Sequence, residues 1–248
     1  VFSVAAQGAT VAAKLLSGEA DFLELLSPPD FAQLAAHAEV RAQPYGGFDY
    51  GFLLFNTRDR RNGARAHALF GDPALRRALS MAVDRATLVR SAFDSLARPA
   101  IGPFSRTQWT ADTTLTGIGF DAARAAQLLD SLGWRDANGD GMRERAGRPL
   151  AFTVLVPASS RTRQASAILL QAQFKSIGAT VQLEQVDFNA FLDKAGRGDF
   201  DALMGGVRTT PSPRGARDVW GTPSPGRGAQ NWGRWSNATF DAHVDSGL

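Results

Sequence analysis

Cysteine is absent from the 248 residues, which excludes disulfides, thiolate-bound zinc and thiol catalysis. Lysine is nearly absent too: only Lys14, Lys175 and Lys194 occur, so the pI of about 9.8 is built from arginine. With a net charge of only +3, that is a weak electrostatic footprint, and a basic nucleic-acid-binding domain is the least favoured class. No apolar run approaches the length of a membrane span, and the start at Val1-Phe-Ser-Val lacks the basic and apolar regions of a signal peptide. Also missing are a phosphate-binding Gly-x-x-x-x-Gly-Lys loop, a Gly-x-Ser-x-Gly elbow and a His-Glu-x-x-His helix, and His37, His67 and His243 stand in unrelated contexts. An enzyme of unrecognised type on an α/β fold is therefore the alternative, and no catalytic residue is assigned.

What is present is a globular composition, 44% hydrophobic and 21% charged, with clear periodic signals. Residues 1–45 alternate as βαβαβ: strands at Val1–Val4, Ala20–Leu25 and Glu39–Gln43, helices at Thr10–Leu16 and, behind Ser27 and Pro28, to Ala36. Gly46–Thr57 reads as an apolar strand introduced by glycines. Arg58, Arg60, Arg61 and Arg65 mark a solvated loop, with an anion site as a minor alternative.

Asp72-Pro73 caps a helix with Leu75, Ala78, Leu79, Ala82 and Val83 inward, and Asp84 caps another. Pro99–Trp109 is a punctuated loop. Asp121 opens a helix whose inner face is Ala122, Ala125, Leu128, Leu129 and Leu132, and Gly133 ends it. Strand Leu150–Val156, a helix over Ser160–Ile177 carrying Ala165, Ile168, Leu169, Ala172 and Ile177, strand Thr180–Val186, an Asp187-capped helix and strand Phe200–Gly205 make two successive crossovers. Those imply a parallel or mixed sheet covered by helices. Beyond Gly206 the sequence is rich in Pro, Gly and Arg and is expected to be irregular.

Asp136-Ala-Asn-Gly-Asp-Gly-Met-Arg-Glu144 offers oxygens at Asp136, Asn138, Asp140 and Glu144, spaced like the opening of a calcium loop. The bidentate Glu required at the twelfth place is Gly147. Asp and Asn beside Gly are also turn chemistry, so a turn is favoured over a structural Ca²⁺ site, and no other cofactor is expected.

Phe70–Arg85, Gly119–Trp134 and Asp136–Glu144, followed by Leu150–Val156, Ile177–Glu184 and Gly198–Ala202, resemble in order and spacing the C-terminal half of family 5 extracellular solute-binding proteins. These are the receptors of ABC importers for oligopeptides, dipeptides and nickel complexes. The resemblance implies a periplasmic binding protein-like α/β lobe, a peptide or other small-molecule ligand, membrane permease subunits as partners, no enzymatic activity, and a periplasmic or extracellular location, with lipid anchoring of the whole protein left open. It further implies a piece truncated at both ends: residues 1–45 a remnant of the first lobe, 46–57 the strand crossing between lobes, and 58–248 the second lobe.

The same resemblance supplies the candidate site. Phe104 and Trp109 lie on a loop that approaches the cleft in the family, although they could equally close the core. Peptide-binding members place a Trp and then an acid after Gly-Asp-Phe-Asp, the acid pairing with the peptide's amino terminus; here those positions are Val207 and Thr210. Arg208, with Arg214 and Arg217 nearby, then favours an anionic ligand group, unless Asp218 takes over the vacant role. Trp220, Asn231 and Trp232 complete the implied ligand-binding set.

Overall fold

A computed structural model describes residues 8–24, 26–210, 212–223 and 230–247. The elements are α1 (Gly8–Leu16), α2 (Pro28–Ala35), β1 (Asp49–Phe55), α3 (Pro73–Met81), α4 (Arg85–Phe93), α5 (Ala122–Ser131), β2 (Glu144–Arg145), β3 (Arg148–Pro149), β4 (Ala151–Pro157), α6 (Arg161–Lys175), β5 (Thr180–Val186), α7 (Phe188–Arg197), β6 (Ala202–Arg208), α8 (Pro213–Trp220) and α9 (Ala238–Asp245). Among the described residues no helix is long and apolar enough to cross a membrane.

Local chemistry fixes most helix starts. Asp72, Asp84, Asp121, Ser160 and Asp187 each accept a backbone N–H of the first turn, which satisfies a donor that the helix itself leaves unpaired. Gly198 ends α7 in the left-handed region at φ 71°, which costs glycine nothing.

The sheet has the order β1-β6-β4-β5, with β4 parallel to both β5 and β6 and β1 antiparallel to β6. From β4 the chain crosses through α6 to one side, then returns through α7 past β4 to its other side. Crossovers of one hand running in opposite directions place their helices on opposite faces of the sheet. The core divides accordingly. Phe152, Val154 and Val156 of β4 pack with α3, α5 and α6 in the larger cluster, whereas Leu155 packs with Phe191 and Ala195 of α7 and Leu203 of β6 in the smaller. The expected α/β architecture with a mixed, helix-covered sheet is what the chain adopts.

Several local expectations fail. Val1–Val4 lies outside the described residues, as does Leu25. Residues 20–24 and 39–43 are irregular rather than extended in a sheet. A strand needs a neighbour to take up its backbone groups, and among the described residues none stands beside these segments. Only α1 and α2 form there, with Ala12 and Leu34 buried outside both core clusters. The inner face of α6 is Ser166, Ala167, Leu170 and Phe174, not the face through Ile168, which is 55% exposed. α8 forms inside the stretch expected to be irregular. Arg60 is not simply solvated: its guanidinium binds Asp199 at 2.7 Å and approaches Asp201 at 3.6 Å.

Candidate functional site

Strand order reverses at β4, so the carboxyl ends of β4 and β6 flank the crevice in which open α/β sheets hold ligands. The antiparallel register brings the start of β1 to the same rim, with Asp49 opposite Arg208, Tyr50 opposite Val207 and Gly51 opposite Gly206. The 99–111 loop is fastened there. Ser105 and Thr107 hydroxyls both donate to the Gly47 carbonyl at 2.8 Å, the Thr209 amide donates to the Phe48 carbonyl at 2.8 Å, and the Gln108 side chain meets the Thr209 hydroxyl at 2.9 Å. The closeness needs glycine at 46, where a Cβ would sit 2.3 Å from the Thr107 methyl.

A cavity of about 130 Å³ opens at this rim, lined by Tyr50, Pro103, Val207, Thr209, Gly215, Val219 and Gln230 together with the expected Arg208, Thr210, Asp218 and Trp220. Tyr50, which the sequence reading missed, is its best-defined polar group. Burial pushes the phenol up to about 12, the bond from Trp220 opposing that only in part, so the hydroxyl keeps its proton. The Trp220 indole donates to the Tyr50 oxygen at 2.8 Å while the Trp220 ring meets Phe52 edge-on. The Tyr50 proton thus remains available to an acceptor in the cavity. A Tyr near the head of an otherwise apolar strand, in a chain with only two, is the one sequence signal that could have found it.

Asp218 sits one turn into α8 beside Thr210, and no cation engages it among the described residues. Arg208, expected to favour an anionic ligand group, is 62% exposed and lies 3.8 Å from Asp49. Arg217 is withdrawn altogether: it is buried, binds Asp241 at 3.0 Å and Asp245 at 2.8 Å, and ties α8 to α9. Phe104 is half-buried on the rim loop, and Trp109 is 82% exposed.

Asn231 and Trp232 lie elsewhere. They line a separate hollow of about 540 Å³ with Arg58, Gly63 and Arg234, past the end of β1. The Asn231 amide is buried and donates to the carbonyls of Trp220, Gly221 and Trp235. Trp232 packs edge-on against Phe191.

In the Asp136 loop the side-chain oxygens serve the turn. Asp136 accepts the Gly139 and Gly141 amides, Asn138 accepts Asp140, and Asp140 accepts Met142. Glu144 instead pairs its backbone with Arg135, and no group of three or more His, Asp or Glu is arranged to hold a metal among the described residues. Millimolar Ca²⁺ or EDTA is expected to leave the melting temperature unchanged, since a ligand stabilises only as far as it occupies the native state. A calcium-dependent rise abolished by Asp140→Ala would reverse this assignment.

A doubly crossed sheet with a ligand crevice at the carboxyl ends of its strands, rimmed by aromatic and acidic side chains, defines a lobe of binding-protein type. Residues 1–227 match the bacterial extracellular solute-binding proteins, family 5 middle, and the chain belongs to that family. It is 31% identical over 149 residues to the oligopeptide-binding protein AppA of Bacillus subtilis, covering 58% of this chain and 27% of that protein. It is 25% identical over 249 residues to a dipeptide-binding protein of Pseudomonas aeruginosa, covering 98% of this chain and 43% of that one. The chain thus spans less than half the length of these curated relatives. The structure of B. subtilis AppA in complex with a nonapeptide superposes with a TM-score of 0.82 at 24% identity, over 98% of this chain and 47% of that one, which establishes the fold.

Proposed function

We propose that the chain supplies one wall of a solute-binding cleft in an ABC-import receptor for peptides or peptide-like molecules, acting outside the cytoplasm with membrane permease subunits. In this reading residues 58–248 form the ligand-binding lobe, 46–57 the strand that crosses between lobes, and 1–45 part of the other lobe. Ligand would favour the closed form by touching both lobes, because only differential contact shifts such an equilibrium. The observation that carries the reading is the convergence at one strand-end cavity of a fixed hydrogen-bond donor, the Tyr50 hydroxyl, and a carboxylate, Asp218, that no cation engages among the described residues. That pair suits an amide or carbonyl oxygen and an ammonium group. No covalent step is required of any residue.

Native mass spectrometry of protein purified without denaturation identifies a co-purifying solute, and calorimetry with that solute then tests the wall. Asp218 is exposed, so Asp218→Ala is expected to weaken an amine-bearing ligand by about two- to fivefold, the value of an exposed charge pair of about 0.5–1 kcal/mol. Arg208→Ala is expected to change affinity by less than about twofold, as befits a solvated side chain. Silence in both variants would show that α8 and the end of β6 do not line the cleft.

A further inference from the structure

Arg163 stands on the first turn of α6, where β4 hands over to the helix at the strand-end rim. Its guanidinium rests on the backbone of β6: a Cβ built on Gly206 would lie 2.7 Å from its Nη2. Gly206 is paired in register with Gly51, and directly opposed residues of an antiparallel pair project to the same face. Neither position therefore carries a side chain on the α6 face. The result is a notch at the carboxyl end of β6, floored by two glycines and overlain by one cation.

That cation has no partner among the described residues. Among them no carboxylate lies within ion-pair distance of Arg163 and no acceptor takes a hydrogen bond from its guanidinium, whereas Arg60, Arg76 and Arg85, also half-buried, are each engaged. Arg76 donates to the Phe70 carbonyl, Arg85 to the carbonyls of Ser80, Val83 and Ile118, and Arg60 binds Asp199. Burial lowers the Arg163 pKa with nothing offsetting it. Its location adds to the cost, because the amino-terminal end of a helix carries partial positive charge and disfavours a cation. A planar guanidinium left unpaired among the described residues at the rim suits an oxyanion presenting two oxygens in a plane.

We propose that Arg163, lying over the Gly51–Gly206 notch, anchors a carboxylate of the bound solute. The site lies on the α6 face of β6, across the strand from the cavity of Tyr50 and Asp218, and the inference rests on the cleft reading above. It assigns the solute class as carboxylate-bearing and moves the anion-binding role from Arg208 to a residue of another element.

The test uses ¹⁵N-labelled protein, with the Arg163 Nε–Hε resonance assigned by its loss in Arg163→Gln. Titration with Gly-Gly-Gly and with sodium acetate should each give a saturable shift of that resonance, and the tripeptide's C-terminal amide should give none. By calorimetry, Arg163→Gln should weaken the tripeptide by tenfold or more and leave the amide unchanged, with Arg163→Lys intermediate. Unliganded Arg163→Gln should melt at or above the parent temperature, since it removes an unpaired cation. Equal affinity for tripeptide and amide, or an Arg163 response to acetate no different from that of exposed Arg161, would overturn the proposal. So would an Arg163→Gln variant that melts several degrees lower without selective loss of the carboxylated ligand. Saturable acetate binding at Arg163 in a protein that takes up no solute would sink the transport reading and keep this site; tight tripeptide binding with Arg163 indifferent would do the reverse.

Discussion

Asp201→Ala is expected to lower the melting temperature by about 6–12 °C at neutral pH, taking about 3 kcal/mol for a broken buried pair and 2–4 °C per kcal/mol in a chain of this size. Two hydrogen-bond donors and one guanidinium converge on this carboxylate from two segments, the 57–71 loop and β4. His67 donates from Nε2 at 3.2 Å, the Thr153 amide donates at 3.0 Å, and Arg60 approaches to 3.6 Å. The His67 tautomer is fixed because Nδ1 accepts the amides of Leu69 and Phe70. Removing the carboxylate strands a ring N–H and a strand amide and cuts the loop of residues 57–71 from β6.

Burial by itself pushes the Asp201 carboxyl up, yet the bonds from His67 and Thr153 and the charge of Arg60 more than reverse this, leaving it below the ordinary range. A depressed carboxyl contributes stability that is complete above the unfolded pKa near 3.9 and disappears as pH falls through the folded value. Parent and variant should therefore differ most at neutral pH and converge as pH falls through the folded value, where the carboxyl becomes protonated in both states. Melting curves across that range decide it, and a neutral-pH difference under about 2 °C would show that the cluster contributes little.

Asn231→Ala is expected to cost about 2–3 kcal/mol of stability, or about 4–12 °C, and to leave ligand affinity within about twofold. The amide nitrogen closes three carbonyls from the end of α8, the following Gly221 and the approach to α9. Alanine leaves those acceptors buried and unpaired, which costs more than a typical hydrogen bond is worth. The sequence pattern placed Asn231 in the ligand set, so the variant separates the two roles. Lost affinity with an unchanged melting temperature would restore the original assignment.

What could be read from the sequence divides along the range of the interactions involved. Asp72-Pro73, Asp121 and Asp187 announced their helices because a cap is decided within a few residues, and Thr180–Val186 was bounded correctly by Gly178 and Asp187. The face of α6 was misread because Ser166 turns inward, giving its hydroxyl to the Thr162 carbonyl, while Ile168 faces solvent. Apolar spacing is a poor guide on such a helix. α8 escaped notice because its support is distant: Ser212 and Pro213 begin it locally, but Arg217 reaches Asp241 and Asp245 on another helix. The site follows the same rule. Family pattern brought Thr210, Asp218 and Trp220 to the rim, whereas Tyr50 and Arg163 are defined by register across β1 and β6 and by what their polar ends fail to meet. Neither property exists in a linear string.

The bonds that clasp Gly47 and Phe48 to Ser105, Thr107 and Thr209 carry a mechanical consequence. Any swing of the segment leading into β1 must either break them together or take place on the amino-terminal side of Gly46. The pivot thereby shifts out of the glycine-containing strand and onto residues 41–45, leaving the rim loop to travel with the sheet as one rigid jaw. Amide exchange would register this at Thr209, whose N–H is held by the Phe48 carbonyl and would stay protected for as long as the clasp is closed.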